Sequence, residues 1–191
     1  MKSPLCMGCP IYEDLKSHGK EPSPIETDYK KDFHLDSDGN IDVLFVGHAL
    51  NSGARRPFEG NAGKYLREYI KLYGIVYYGV TNIHKCRLAY QTHHAWATSQ
   101  PGKRCRDVFI NEMRCGPKLV VALGSPASLV LTGRAVSEMP DAIVNVKWNG
   151  QEFSLIALPH PSPLHVYNDL VLLEVWNRRW IAIGDFSKEG V

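Results

Sequence analysis

Four short apolar runs, separated by stretches of helical periodicity, constrain this chain more than any other feature. Ile41 to Val46, Ile75 to Val80, Leu119 to Leu123 and Gln151 to Leu158 are each of strand length. Between the first two, Ala62 to Leu72 places Leu66, Tyr69 and Ile70 at helical spacing. Further helices are expected at 103–114, at 126–132 and from Leu170 to Ile183. Asn149-Gly150 joins Ile143–Trp148 to Gln151–Leu158 and is a strong hairpin signal. Strands alternating with helices predict an α/β fold around a mostly parallel sheet. In such sheets a ligand binds beyond the carboxyl ends of the strands. The loops 47–63, 81–99, 124–126 and 159–168 should therefore converge on one site.

At 191 residues with 44% apolar content, the chain can bury one full core, so one domain spanning 1–191 is expected. Residues 1–40 read as an irregular lead-in. No apolar run approaches the roughly 20 residues of a membrane helix, and the N-terminus lacks a basic-then-apolar secretory pattern. Five cysteines in that setting suggest a reducing compartment, cytosol or nucleoid, with thiols as ligands rather than disulfides. Charge is unevenly spread. Residues 1–42 hold nine acids against five Lys/Arg, and residues 43–191 hold eleven against seventeen. Arg55-Arg56, Lys85 with Arg87, Lys103-Arg104 with Arg106, and Arg178-Arg179 form basic pairs of the kind that bind phosphate, although solvated surface charge accounts for them equally well.

The converging loops carry chemistry. Gly47-His48-Ala49-Leu50-Asn51-Ser52-Gly53 continues to Phe58, Gly60 and Gly63; its glycines let backbone approach a ligand, and Phe58 offers a flat face for a base. Asn82, at the end of the second strand, can donate and accept at once, which suits the edge of a pyrimidine, or it can serve as a turn residue. His160 stands between Pro159 and Pro161, so its imidazole is presented at a fixed position, where it could stabilise negative charge on a departing group. Leu164 in the same loop could wedge into a base stack or pack in the core. Cys6 and Cys9 form C-x2-C, a frequent metal half-site. With Cys86 and Cys105 they make a four-thiolate set suited to zinc or an iron–sulfur cluster, with Cys115 as a spare.

Taken together, Cys6–Cys9, Pro57-Phe58-Glu59-Gly60-Asn61-Ala62-Gly63, Thr81-Asn82-Ile83-His84-Lys85-Cys86-Arg87, Lys103-Arg104-Cys105, Val120-Val121-Ala122-Leu123-Gly124 and His160-Pro161-Ser162-Pro163-Leu164 resemble the uracil-DNA glycosylase superfamily, most closely its family 4 iron–sulfur members. The resemblance implies a three-layer α/β/α sandwich with a central, mostly parallel four-stranded sheet. It implies a monofunctional, monomeric DNA N-glycosylase that flips a pyrimidine, by default uracil, releases the free base and leaves an abasic site. Cys6, Cys9, Cys86 and Cys105 would hold a 4Fe–4S cluster, with zinc the lesser alternative. Gly47, Phe58, Asn82 and His160 would bind the base, and His160 would stabilise it as it leaves. Arg55, Arg56, Lys85, Ser162, Leu164 and His165 would contact DNA.

One departure stands out. Family 4 members usually read G-E-A-P-G where this chain has Gly47-His48-Ala49-Leu50-Asn51, so the carboxylate linked to the attacking water is missing. His48 or Asn51 would then position water. The small Ser52 and Gly53 leave room for a 5-substituent, so a hydroxymethylated or glucosylated cytosine in foreign DNA is an alternative substrate. A member that binds DNA or lesions without cutting is another.

Overall fold

The computed structural model describes residues 32–49, 56–85, 100–162 and 169–188. Six strands form one sheet: β1 (Phe33–His34), β2 (Val43–Gly47), β3 (Tyr78–Asn82), β4 (Leu119–Leu123), β5 (Val144–Trp148) and β6 (Gln151–Leu158). Their spatial order is β1-β3-β2-β4-β6-β5. The inner four, β3-β2-β4-β6, run parallel, and β1 and β5 close the two edges antiparallel. The expected four-stranded sheet is therefore the parallel centre of a six-stranded one. The first edge strand lies inside the stretch expected to be irregular, where two residues are too short to show a period.

Among the described residues four helices cover the sheet: α1 (Asn61–Leu72), α2 (Lys103–Met113), α3 (Ser125–Thr132) and α4 (Leu170–Lys188). β2 and β4 are buried on both faces, which is why they read as unbroken apolar runs rather than as alternation. In β4, Leu119, Val121 and Leu123 face the layer of α1 and α4 with Tyr65, Leu66, Trp176 and Trp180. Val120 and Ala122 face the opposite layer, with Phe109 of α2 and Ala127, Val130 and Leu131 of α3. The α1–α4 layer is unusually aromatic: Trp180 stacks on Phe45 at 5.6 Å and on Tyr73 at 5.4 Å, and Trp176 on Tyr65 at 5.7 Å. No helix among the described residues is long and apolar enough to cross a membrane.

Boundaries moved where sterics outweighed pattern. The second parallel strand is Tyr78–Asn82 rather than Ile75 to Val80, because Gly74 (φ 69°) turns the chain out of α1 first. The Asn149-Gly150 hairpin forms as expected, with both residues at positive φ (46° and 79°).

A basic pair expected on the surface is largely absorbed by the fold. Arg179 is buried. Its guanidinium donates to the Asp141 carboxylate at 2.7 Å and to the carbonyls of Val136, Met139 and Ala157. It thereby ties the 3-10 turn Val136–Glu138 to the end of β6. Burial works to raise the Asp141 carboxyl, but hydrogen bonds and charge from Arg179 and Arg178 together hold it below the usual carboxylate range. Arg179→Ala would leave three carbonyls without their donor and should cost about 3 kcal/mol of stability in urea unfolding. Lys, lacking the planar fork, should recover little of it.

Candidate active site

The parallel register decides where the site forms. Gly47 ends β2 and Asn82 ends β3, and the two are direct partners across the ladder. The ladder runs on past them, with Ile83 N–H donating to the Gly47 carbonyl and His84 N–H to that of His48. Gly47 has no side chain, and the space is used at once. A Cβ there would lie 2.3 Å from Asn82 Oδ1 and 2.5 Å from the Phe58 ring. Asn82 and Phe58 therefore meet over Gly47, in a gap that any larger residue would fill.

Phe58 reaches that position through a strained backbone. Its φ is 52°, in the left-handed region that bulky residues avoid. Pro57 before it is buried. The Phe58 carbonyl occupies the place where a Cβ at Gly63 would be, only 1.4 Å from it, and accepts a hydrogen bond from Arg67 Nη1 at 3.1 Å.

His160 joins from β6. It is exposed while Pro159 and Pro161 on either side are buried, so the imidazole projects from an anchored frame. Its ring centroid lies 6.0 Å from that of Phe58, tilted by 30°. Ser162 N–H turns back to the His160 carbonyl at 2.7 Å. Gly124, at the start of α3, packs against the side chain, with 3.3 Å between its ideal Cβ and that of His160. On the far side of His160 opens a cavity of about 740 Å³, walled by Ser125, Pro126, Val136, Met139 and Leu172.

A polar network lies beneath Asn82. Lys85 Nζ donates to Thr81 Oγ1 at 2.6 Å and to both Glu112 carboxylate oxygens at 2.8 and 2.7 Å, while the Thr81 hydroxyl donates to the same carboxylate at 2.9 Å. All three residues are buried. Burial pulls the Lys85 ammonium down and pushes the Glu112 carboxyl up, and their mutual attraction opposes both shifts. The expectation that Lys85 contacts DNA phosphate is thus corrected: with side chains 3% and 0% exposed, this ion pair is internal. Its cation is spent on Glu112, which fixes the backbone from which Asn82 projects.

The remaining expected residues divide by location. Arg56 is exposed, two residues from Phe58. His48 is half-buried and meets His84 edge to face at 4.9 Å. Asn51, Arg55, Leu164, His165, Cys6, Cys9 and Cys86 lie outside the described residues. Cys105 is described and buried on α2, and its Sγ accepts the Lys85 N–H at 3.4 Å. Among the described residues no group of three or more His, Cys, Asp or Glu stands close enough to hold a metal ion.

Sequence reasoning assigned no role to Glu112 or Arg67. Glu112 had a signal: with Cys105 and Phe109 it lies at i, i+4 and i+7, an acid on the buried stripe of α2.

A strand-end glycine, an asparagine, a phenylalanine and a proline-framed histidine thus lie together at the carboxyl edge of a parallel sheet. The family model for the uracil DNA glycosylase superfamily matches residues 33–180, which include all four. The chain belongs to the uracil DNA glycosylase superfamily. Its members are generally hydrolytic DNA N-glycosylases, so DNA is the substrate polymer. No curated protein matches the chain.

The pocket's dependence on Gly47 can be checked directly. Gly47→Ala should lower base excision by about 100-fold, the scale of a 1 Å misplacement. Its unfolding midpoint should change little, because the atoms in the way are side-chain tips. Undiminished cleavage by this variant would show that Asn82 and Phe58 do not hold the base.

Proposed function

We propose that this member of the superfamily everts a pyrimidine, uracil by default, between Phe58 and Asn82 and hydrolyses its N-glycosidic bond, acting as a monofunctional, monomeric enzyme in the cytosol. The convergence of Gly47, Phe58, Asn82 and His160 carries the reading. In the bound state the ring of Phe58 stacks on the base, and the Asn82 amide pairs with its Watson–Crick edge. A group donating to the pyrimidine O2 must lie beside N1 and hence beside the sugar. That places the deoxyribose on the His160 side, where the cavity opens.

The chemistry needs little more than position. Water adds to C1′ as the C1′–N1 bond breaks, the electron pair leaves with the base, and the water proton passes to solvent or to the departing base. An imidazole N–H at His160 lowers the barrier by meeting the charge that grows on O2. The chain has no carboxylate after Gly47, and His48, the next residue, is the described group nearest in sequence to orient the water; Asn51 is the other candidate. Arg56, Ser162, Arg55, Leu164 and His165 would hold the strand around the everted nucleotide.

His160→Ala should raise the barrier to cleavage by about 2–4 kcal/mol while DNA affinity stays nearly unchanged. Single-turnover rates on a uracil oligonucleotide measure this, and equal rates for variant and parent would remove His160 from catalysis. The same assay on oligonucleotides carrying hydroxymethylated or glucosylated cytosine decides the base. Release from these and not from uracil would move the function to defence against modified DNA. Tight binding without release from any of them would make the protein a non-cleaving DNA binder.

The cysteine set fits an iron–sulfur cluster in one respect. The Cys105 Sγ accepts the Lys85 N–H, from the residue before Cys86 in sequence, and a cluster sulfur accepts such N–H bonds. Cys6, Cys9, Cys86 and Cys105 would hold a 4Fe–4S cluster whose contribution is to order the lead-in rather than to carry electrons. Cys105→Ser should lose visible absorbance and most of the roughly four irons per chain. Iron retained in full would rule Cys105 out as a ligand, and zinc in its place would identify the lesser alternative.

A further inference from the structure

We infer that Arg67 is a positioning residue for base binding. It holds the Phe58 carbonyl and so keeps the stacking ring over Gly47. The inference rests on the reading of Phe58 as the stacking face.

The observation behind it is an outlier. Phe58 adopts φ 52°, a conformation that is costly for a non-glycine residue and persists only where surroundings over-determine it. Three features do so. Buried Pro57 fixes the chain on the entry side. Gly63 in the first turn of α1 leaves the hole that the Phe58 carbonyl enters. Arg67, one helical turn further on the same face, closes over that carbonyl with Nη1 at 3.1 Å from the oxygen and 2.8 Å from the ideal Cβ of Gly63. Gly63 permits the strained state, and Arg67 supplies the directional contact. The ring that results meets the Gly47–Asn82 pair and lies 6.0 Å from the His160 ring. A relaxed Phe58 backbone would swing the ring out of this gap.

Arg67 is exposed, so its loss should not unfold the protein. An exposed arginine on a DNA-binding enzyme has a rival role, direct contact with phosphate. A double-mutant cycle in the full-length protein separates the two. On a uracil oligonucleotide, Arg67→Ala should raise KM roughly tenfold with kcat nearly unchanged, because stacking is made in both the ground and the transition state. Arg67→Lys should restore part of the loss. The decisive arm is the Phe58→Ala background, where Arg67→Ala should have no further effect. An equal penalty in both backgrounds, with a reduced salt slope of binding, would overturn the inference in favour of a phosphate contact. An Arg67→Ala enzyme identical to the parent would overturn it outright. A Phe58→Ala enzyme with parental kinetics would instead sink the stacking role of Phe58 itself.

Discussion

Everything at this site depends on an absent side chain at the end of β2. Two parallel strands in register place paired residues on the same face of the sheet. At most rungs of this ladder both positions carry bulk, as in Phe45 opposite Val80. At the last rung, Gly47 opposite Asn82, one side is empty, and a ring from a separate loop enters the space. Pocket and sheet are thus one piece of geometry. Any change that slips β2 against β3 by a residue would put Val46 or His48 in place of Gly47 opposite Asn82.

The device beneath Asn82 answers a different demand. Strand ends fray, yet an amide proposed to read a base edge would have to be held to a few tenths of an ångström. Thr81, Lys85 and Glu112 meet that demand by tying β3 and the loop after it to α2 through four short hydrogen bonds. A buried ion pair contributes little net stability, since dehydrating both charges roughly cancels their attraction. An apolar trio of similar volume would serve the core as well, but it would lack the directional bonds that set where β3 stops. Because the Lys85 N–H also reaches Cys105 Sγ, the same anchor links the end of β3 to one of the expected cluster ligands.

Much of this was legible in the sequence, and for identifiable reasons. β4 was read with the boundaries it has, Leu119–Leu123, because Gly116-Pro117 and Gly124 bound an apolar run whose length suits only a strand. Helix α1 was visible from Leu66, Tyr69 and Ile70. The convergence of Gly47, Phe58, Asn82 and His160 was legible because strand-end loops come together in a parallel sheet. Lys85 was misread for a physical reason: its acidic partner is 27 residues away on α2, and no local pattern tells a paired lysine from a solvated one. Arg179 escaped notice in the same way, its partner Asp141 being 38 residues distant. β1 was invisible because two residues carry no period, and the positive φ of Phe58 because nothing in Pro57-Phe58-Glu59 announces it.

The missing carboxylate after Gly47 is less of an obstacle than the motif comparison suggests. Glycosidic cleavage through a loose, oxocarbenium-like transition state places positive charge on the sugar and negative charge on the base before the water has bonded. The water therefore needs an address more than a strong base. What cannot be dispensed with is a donor facing the leaving base and a wall that keeps the base planar against it. In the proposed reading both would come from rigid backbone: two buried prolines around His160, and a left-handed residue at Phe58 held by its surroundings. On that reading, a superfamily member that gives up its acid while keeping this pair rigid has given up the more replaceable part.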